Sequence, residues 1–290
     1  ISFAEEGFFT PEHTFFYTMF LGIAVVLFVA TFHRRRQGAS WLGAIPDGYR
    51  SGLAGVLVFG FAAVADFFWH RAFGFEQSFE ALVSPSHLLL AGGAVLFFAS
   101  PLRAVWYRED QPRGLQLLPV VVPLALVLTI VSLFGGFLNP LVRPYPHYEW
   151  HTMQRVVAML CTYPLVLVGT GLAVMRRFRP PFGAFTLVFT VPALASSFVE
   201  AHYLLALTAV TTGLVADAIV HWRRPTPANP SALRLFGLAV PVVFAGTYLA
   251  VVELEYGITH QPTGWGYPLW SPHVLGGAVA LAGAAGLLLT

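Results

Sequence analysis

Apolar runs of about twenty residues recur along the whole chain, and they constrain its fold more than any other feature of the sequence. Hydrophobic residues make up 57% of the chain and charged residues only 10%. In lipid, every backbone N–H and C=O group must find its partner within protein, so long apolar segments cross a membrane as α-helices. The sequence therefore predicts an all-α, polytopic integral membrane protein, with one transmembrane helical bundle over residues 1–290.

The apolar runs divide into nine predicted spans, with the N-terminus on the outer side of the membrane. They cover residues 14–32, 51–69, 87–106, 115–137, 153–175, 183–199, 202–222, 232–254 and 272–290. The sixth and seventh are separated only by a tight turn near Ser196–Ala201. Residues 183–222 therefore either cross the membrane twice or form a re-entrant pair.

The basic residues indicate an orientation for these spans. Every basic side chain other than histidine is an arginine, and the absence of lysine excludes a retinal Schiff base. In the nine-span arrangement only Arg71, Arg143 and Arg155 fall on the outer side, and all other arginines fall on the inner side. Cytoplasmic loops of membrane proteins are enriched in arginine. The sequence thus predicts a bacterial inner (plasma) membrane protein whose arginine-rich side is cytoplasmic.

The stretch from Asp66 to His87 carries the strongest candidate site. Asp66 and His70 are four residues apart near the end of the second span, so a helix presents them on one face. Ser84-Pro85-Ser86-His87 is typical of a helix start, in which serine caps and proline occupies the first turn. A carboxylate inside an apolar segment usually has a partner. One carboxylate and two imidazoles suit copper or zinc better than magnesium or calcium.

This pattern resembles the copper motif in the C subunit of particulate methane and ammonia monooxygenases. The shared elements are Asp66-x3-His70, with Trp69 before the first histidine, followed by Ser84-Pro85-Ser86-His87. The resemblance implies that Asp66, His70 and His87 are copper ligands and that the chemistry is oxidation of a small apolar substrate. It covers about twenty-two residues, and the gap between the two histidines is longer than the family's.

A second, weaker candidate metal site precedes the last span. It comprises Glu253, Glu255, His260 and His273. The gap between its two histidines matches the usual gap in the family motif. The same residues also fit an outer loop with helix caps and aromatic anchors. A Pro-containing segment ending in histidine opens spans one, three and nine, which suggests duplicated helical hairpins.

Other polar residues fall on the predicted outer side and are additional candidates. The possible further ligands are Glu76, His151, Glu200 and His202, and Glu76 or Glu80 are candidate proton relays. On the inner side, Asp217 and His221 repeat the Asp-x3-His spacing beside two arginines. A salt-bridged helix end is the favoured interpretation for that pair.

Three functions from different classes fit these features. The first is a copper-dependent, monooxygenase-like oxidoreductase, or a subunit of one, that receives electrons from quinol or a partner subunit. The second is a haem b-binding or structural subunit of a respiratory complex, with His87–His151 or His202–His273 as axial pairs. The third is a metal transporter or copper-delivery protein. Zinc remains an alternative to copper. The basic residues form no stripe, so nucleic acid is not an expected partner.

Overall fold

The computed structural model describes residues 11–74, 82–110, 112–142, 150–200, 202–259 and 273–290. Over these residues the chain is helical and forms no β-strand, apart from an isolated bridge between Thr226 and Asn229. It divides into two compact units, Ile1–Glu109 and Asp110–Thr290. The all-helical prediction is therefore confirmed for the part of the chain that is described.

Four α-helices lie in the described residues of the first unit. They are α1 (Pro11–Arg36), the short α2 (Trp41–Ala44), α3 (Arg50–Phe73) and α4 (Pro85–Trp106). Six α-helices lie in the described part of the second unit. They are α5 (Leu118–Phe134), α6 (Trp150–Arg177), α7 (Ala184–Glu200), α8 (Ala206–Arg223), α9 (Pro230–Thr259) and α10 (Val279–Leu287), the last preceded by a π-helical segment, His273–Ala278.

Seven of the described helical segments are long and apolar enough to cross a membrane. They correspond to predicted spans one to five, seven and eight. Two shorter apolar segments, Ala184–Ser197 and Gly276–Leu287, correspond to spans six and nine. Residues 183–222, which the sequence left ambiguous, form two separate helices, α7 and α8, with a 3₁₀ turn at Tyr203–Leu205 between them.

Helix α3 has two faces of opposite character. One face is exposed and apolar, and comprises Leu57, Phe61, Val64 and Phe68. The other is buried against α4 and comprises Gly52, Gly55, Phe59, Ala62, Asp66 and His70. The charged residue therefore lies on the interior face while large apolar side chains face outward. This is the arrangement expected of a helix in lipid, where charged side chains turn toward the protein interior.

Two glycines allow α3 and α4 to approach closely. A Cβ atom added at Gly55 would lie 2.6 Å from the Gly93 carbonyl oxygen, and one at Gly93 would lie 2.8 Å from the Phe59 backbone nitrogen. Small residues at such crossings let the backbones of membrane helices pack directly. Phe59 fills the space beside the crossing and stacks on Phe20 of α1, with ring centroids 4.6 Å apart.

Candidate metal site

Helix geometry brings the first two predicted ligands together. Asp66 and His70 are one turn apart on the buried face of α3, with exposed fractions of 0% and 7%. Helix α3 ends at Phe73, just beyond them, so both side chains lie at the end of the helix that faces the start of α4. A buried carboxylate in this position requires compensating partners.

The start of α4 supplies the third predicted ligand. Ser84 is the N-cap, its Oγ accepts a hydrogen bond from the His87 backbone N–H at 3.3 Å, and Pro85 occupies the first turn. The predicted helix start at Ser84-Pro85-Ser86-His87 is thus confirmed. Because the cap fixes the first turn, Ser86 and His87 are held against the end of α3.

Three potential ligand atoms converge at this point. The Nε2 atom of His70 lies 3.6 Å from Asp66 Oδ1, and the Nε2 atom of His87 lies 3.5 Å from the same oxygen. Asp66, His70 and His87 each offer one ligand atom within 4.8 Å of the others, and no other His, Cys, Asp or Glu group of three does so within the described ranges.

These separations are too long for hydrogen bonds between the side chains. Two ligand atoms about 2.0–2.2 Å from a tetrahedral ion lie roughly 3.3–3.6 Å apart, by simple geometry. The distances from Asp66 Oδ1 to the two Nε2 atoms, 3.6 and 3.5 Å, fall in that range. These two separations therefore match those of ligands on one small cation, and all three ligand atoms lie within 4.8 Å of one another.

The hydrogen bond of His70 determines which ring nitrogen carries its proton. The Nδ1 atom lies 3.2 Å from the Gly74 carbonyl oxygen. A carbonyl oxygen only accepts, so Nδ1–H is the donor in this bond, and in the neutral ring Nε2 carries the lone pair. Metal-bound histidines commonly orient their second nitrogen in this way.

A chain of serine hydroxyls determines the proton position on His87. Ser86 Oγ donates to Asp66 Oδ1 at 2.8 Å, and Ser84 Oγ lies 3.2 Å from Ser86 Oγ and 2.9 Å from His87 Nδ1. Each hydroxyl has one proton to donate. With Asp66 ionised, the Ser86 proton goes to the carboxylate, so the Ser84 proton goes to Ser86. His87 Nδ1–H must then donate to Ser84, and in the neutral ring Nε2 again carries the lone pair.

Helix α1 adds a residue that the sequence patterns did not single out. The Tyr17 phenol interacts with the Asp66 carboxylate, and its ring packs edge-on against Phe59 at 6.4 Å between centroids. The second carboxylate oxygen, Asp66 Oδ2, is buried and has no hydrogen bond of standard geometry from the described residues. Tyr17 lies in an apolar helix far along the chain from Asp66, so no local spacing signals this contact. The role of Ser86 was also missed, although its place beside the capping Ser84 was a usable signal.

The second candidate site is only partly covered by the described residues. Glu255 is buried on α9, and its Oε1 lies 2.8 Å from Nδ1 of His202. Glu253 is partly exposed on the same helix. His260 and Glu76 lie outside the described residues, as does Glu80, and so do the side chains of His151, Glu200 and His273. The structure thus pairs Glu255 with His202, and the proposed four-residue group stays a prediction.

The Asp217–His221 pair has a structural role. The Asp217 carboxylate accepts hydrogen bonds from the Phe185 and Thr186 backbone N–H groups, at 3.0 and 2.9 Å, and from Thr186 Oγ1 at 2.7 Å. It therefore caps the N-terminus of α7 from the neighbouring helix α8. The His221 ring packs edge-on against Phe182, with centroids 6.0 Å apart. The expected salt bridge at this helix end is not formed among the described residues, and a helix cap takes its place.

The ligand atoms at the Asp66 site limit which metals suit it. Two imidazole nitrogens and one carboxylate oxygen suit copper or zinc, and three protein ligands leave room for a further ligand on a four-coordinate ion. Comparison with protein-family models, with curated proteins and with solved structures gives no match to this chain. The chemistry of the site is therefore inferred from its own residues.

Proposed function

We propose that this chain is an integral membrane protein that binds one copper ion through Asp66, His70 and His87. In this proposal the chain crosses the membrane nine times, with its arginine-rich loops cytoplasmic and the copper site near the outer face of a bacterial inner membrane. The seven long apolar helices and the two shorter ones support the span count. The distribution of arginine supports the orientation.

One observation carries the proposal. Three ligand atoms from two helices converge on one buried point, and both histidine rings are hydrogen-bonded through Nδ1 so that Nε2 faces Asp66 Oδ1. When both rings are neutral, three lone-pair atoms face one another, and a bound cation relieves their repulsion. Bringing a carboxylate and two imidazoles into an apolar interior is costly, and binding a cation offsets that cost.

The protein's own residues would hold and tune the ion. Asp66 supplies the negative charge, Ser86 fixes the orientation of the carboxylate, and Ser84 and the Gly74 carbonyl orient the two imidazoles. Bound copper would supply one-electron redox chemistry. We propose that this serves a monooxygenase-like oxidoreductase or a subunit of one, with electrons provided by quinol or a partner subunit.

The haem alternative has less support among the described residues. In each of the two proposed axial pairs one histidine, His151 or His273, has its side chain outside the described residues. His87 lies instead beside His70 and Asp66, and His202 beside Glu255. A zinc ion fits the same three ligands as copper, so the metal must be identified by measurement.

The test is metal analysis with an optical spectrum on the purified, detergent-solubilised protein. The variants are His70→Ala, His87→Ala and a matched control, His221→Ala, which removes the histidine of the other Asp-x3-His pair. We expect about one copper per chain in the wild type and the control, and loss of the metal in both site variants. A Soret band should be absent.

Three outcomes would contradict the proposal. One zinc ion per chain, without copper, would show that the site binds zinc and would rule out the proposed redox function. A Soret band would favour the haem-binding alternative. Equal metal content in the wild type and His87→Ala would show that the bound metal lies elsewhere.

A further inference from the structure

Helices α1, α2 and α3 of the first unit line an open apolar groove, separate from the metal site. Its volume is about 460 Å³, within the range of about 300–1,000 Å³ that is usual for ligand pockets. The lining residues include Phe28, Trp41, Leu42, Leu53 and Leu57. The two α2 residues remain largely exposed, Trp41 at 65% and Leu42 at 70%. A groove of this composition suits a hydrocarbon chain.

An arginine is held in place at the end of this groove. The Arg35 guanidinium lies 5.3 Å from the centre of the Trp41 ring, and its Nη1 donates a hydrogen bond to the Ala39 carbonyl oxygen at 3.2 Å. Trp41 itself lines the groove. Because the ring and the carbonyl fix the guanidinium, its remaining N–H donors lie beside the groove in a preorganised fork.

The charge around Arg35 favours an anion. The connection between α1 and α3 carries Arg34, Arg35 and Arg36, Arg50 opens α3, and Asp47 is the one acidic residue from 33 to 50. Arg36 lies over the Phe32 ring at 4.7 Å, on the same turn of α1. Guanidinium groups bind phosphate oxygens bidentately. An apolar groove that ends in fixed cationic groups matches an anionic lipid. The acyl chain of such a lipid fits the groove, and its phosphate meets the cationic groups.

We propose that this groove is a binding site for one anionic glycerophospholipid. One acyl chain occupies the groove, and Arg35, assisted by Arg36, binds the phosphate. A zwitterionic lipid fits the groove as well, but its own positive headgroup competes with the arginines, so the site selects for net negative charge. The site is distinct from the metal centre, and neither proposal depends on the other.

Native mass spectrometry of the delipidated protein tests this, with phosphatidylglycerol and phosphatidylcholine of identical acyl chains added in turn. We expect one retained phosphatidylglycerol, preferred about fivefold over phosphatidylcholine, as expected from one arginine near an anionic headgroup. Arg35→Gln should bring the preference close to one. Ala24→Phe, which fills the groove, should reduce retention of both lipids.

Arg223→Gln serves as the matched control, because Arg223 is an exposed arginine at the end of an apolar helix in the other unit. It should behave as the wild type does. Thermal unfolding of each variant checks that the fold is retained. Equal retention of the two lipids by the wild type, an unchanged preference in Arg35→Gln, or undiminished binding in Ala24→Phe would each overturn the proposal.

Discussion

Two Asp-x3-His pairs in this protein have the same spacing and similarly buried aspartates, yet they are used differently. Asp66 is fully buried at the end of α3, and Asp217 is 2% exposed near the end of α8. Asp66 faces two imidazoles and one serine hydroxyl, whereas Asp217 accepts three hydrogen bonds from the start of α7. The neighbouring helix, and not the spacing, decides the role of the pair.

The difference originates in how each neighbouring helix is capped. In both cases the carboxylate meets a helix N-terminus. Helix α4 begins with its own cap, Ser84, so its first N–H groups do not need Asp66. Helix α7 begins after Pro181-Phe182-Gly183, with no side-chain cap in its own sequence, and Asp217 satisfies its N–H groups from α8. A carboxylate that is not needed as a cap remains available to a cation.

Among the changes that test this comparison, replacing Asp66 should have the largest effect, and it should act on metal affinity. Asp66→Asn keeps the shape of the side chain but removes its charge and one acceptor oxygen. We expect metal affinity to fall by more than about 100-fold, since the loss of a ligand exceeds the 10–100-fold typical of residues that support ligands. Competition with a chelator of known affinity would measure it. Wild-type affinity in this variant would exclude Asp66 as a ligand.

A glycine at the α3–α4 crossing should have the next largest effect. Gly93→Val would place a side chain within 2.8 Å of the Phe59 backbone nitrogen. The overpacking should lower the free energy of unfolding by about 1–3 kcal/mol and separate the ligands on the two helices. We expect both metal content and thermal stability to fall.

Gly92→Val provides the matched control for this change. A Cβ atom at Gly92 meets no atom within 4 Å, so metal content and the unfolding temperature should remain close to wild type. If both variants retain the metal equally, close packing of the two helices is not what brings the ligands together.

Removing the Ser86 hydroxyl should have an intermediate effect. Ser86→Ala removes the hydrogen bond to Asp66 Oδ1 and breaks the chain that orients His87. Metal affinity should fall about 10–100-fold, with the stoichiometry unchanged at saturating metal. The control is Ser100→Ala on the same helix, whose hydroxyl bonds only to the Leu96 carbonyl among the described residues. An equal loss in both variants would contradict a positioning role for Ser86.

Removing Asp217 should have the smallest effect. It should change the stability of the fold but not the binding of metal. Asp217→Ala deletes the cap of α7, so the free energy of unfolding should fall by about 1–2 kcal/mol. Metal content should not change, because this carboxylate takes no part in the Asp66 site. Thermal unfolding paired with metal analysis measures both quantities. A loss of metal without a loss of stability would reverse the roles assigned to the two aspartates.

Much of the architecture could be predicted from the sequence for a physical reason. Backbone groups in lipid must be satisfied within each segment, so apolar runs of sufficient length become helices whatever their neighbours. The cap at Ser84 and the shared face of Asp66 and His70 are likewise local, since they depend on residues within one helical turn. Which side chains of α3 are exposed is less local. It is decided only when α4 covers the opposite face of the helix.

What the sequence by itself determined is therefore the helices, the boundary at Ser84 and the pairing of Asp66 with His70 on one face. Tertiary structure brought the predicted ligand His87 to them, and it alone decided that His202 pairs with Glu255. It also decided that Tyr17 reaches Asp66 and that Asp217 caps α7. Contacts between distant segments depend on how helices cross, as at Gly55 and Gly93, and no local pattern encodes that geometry.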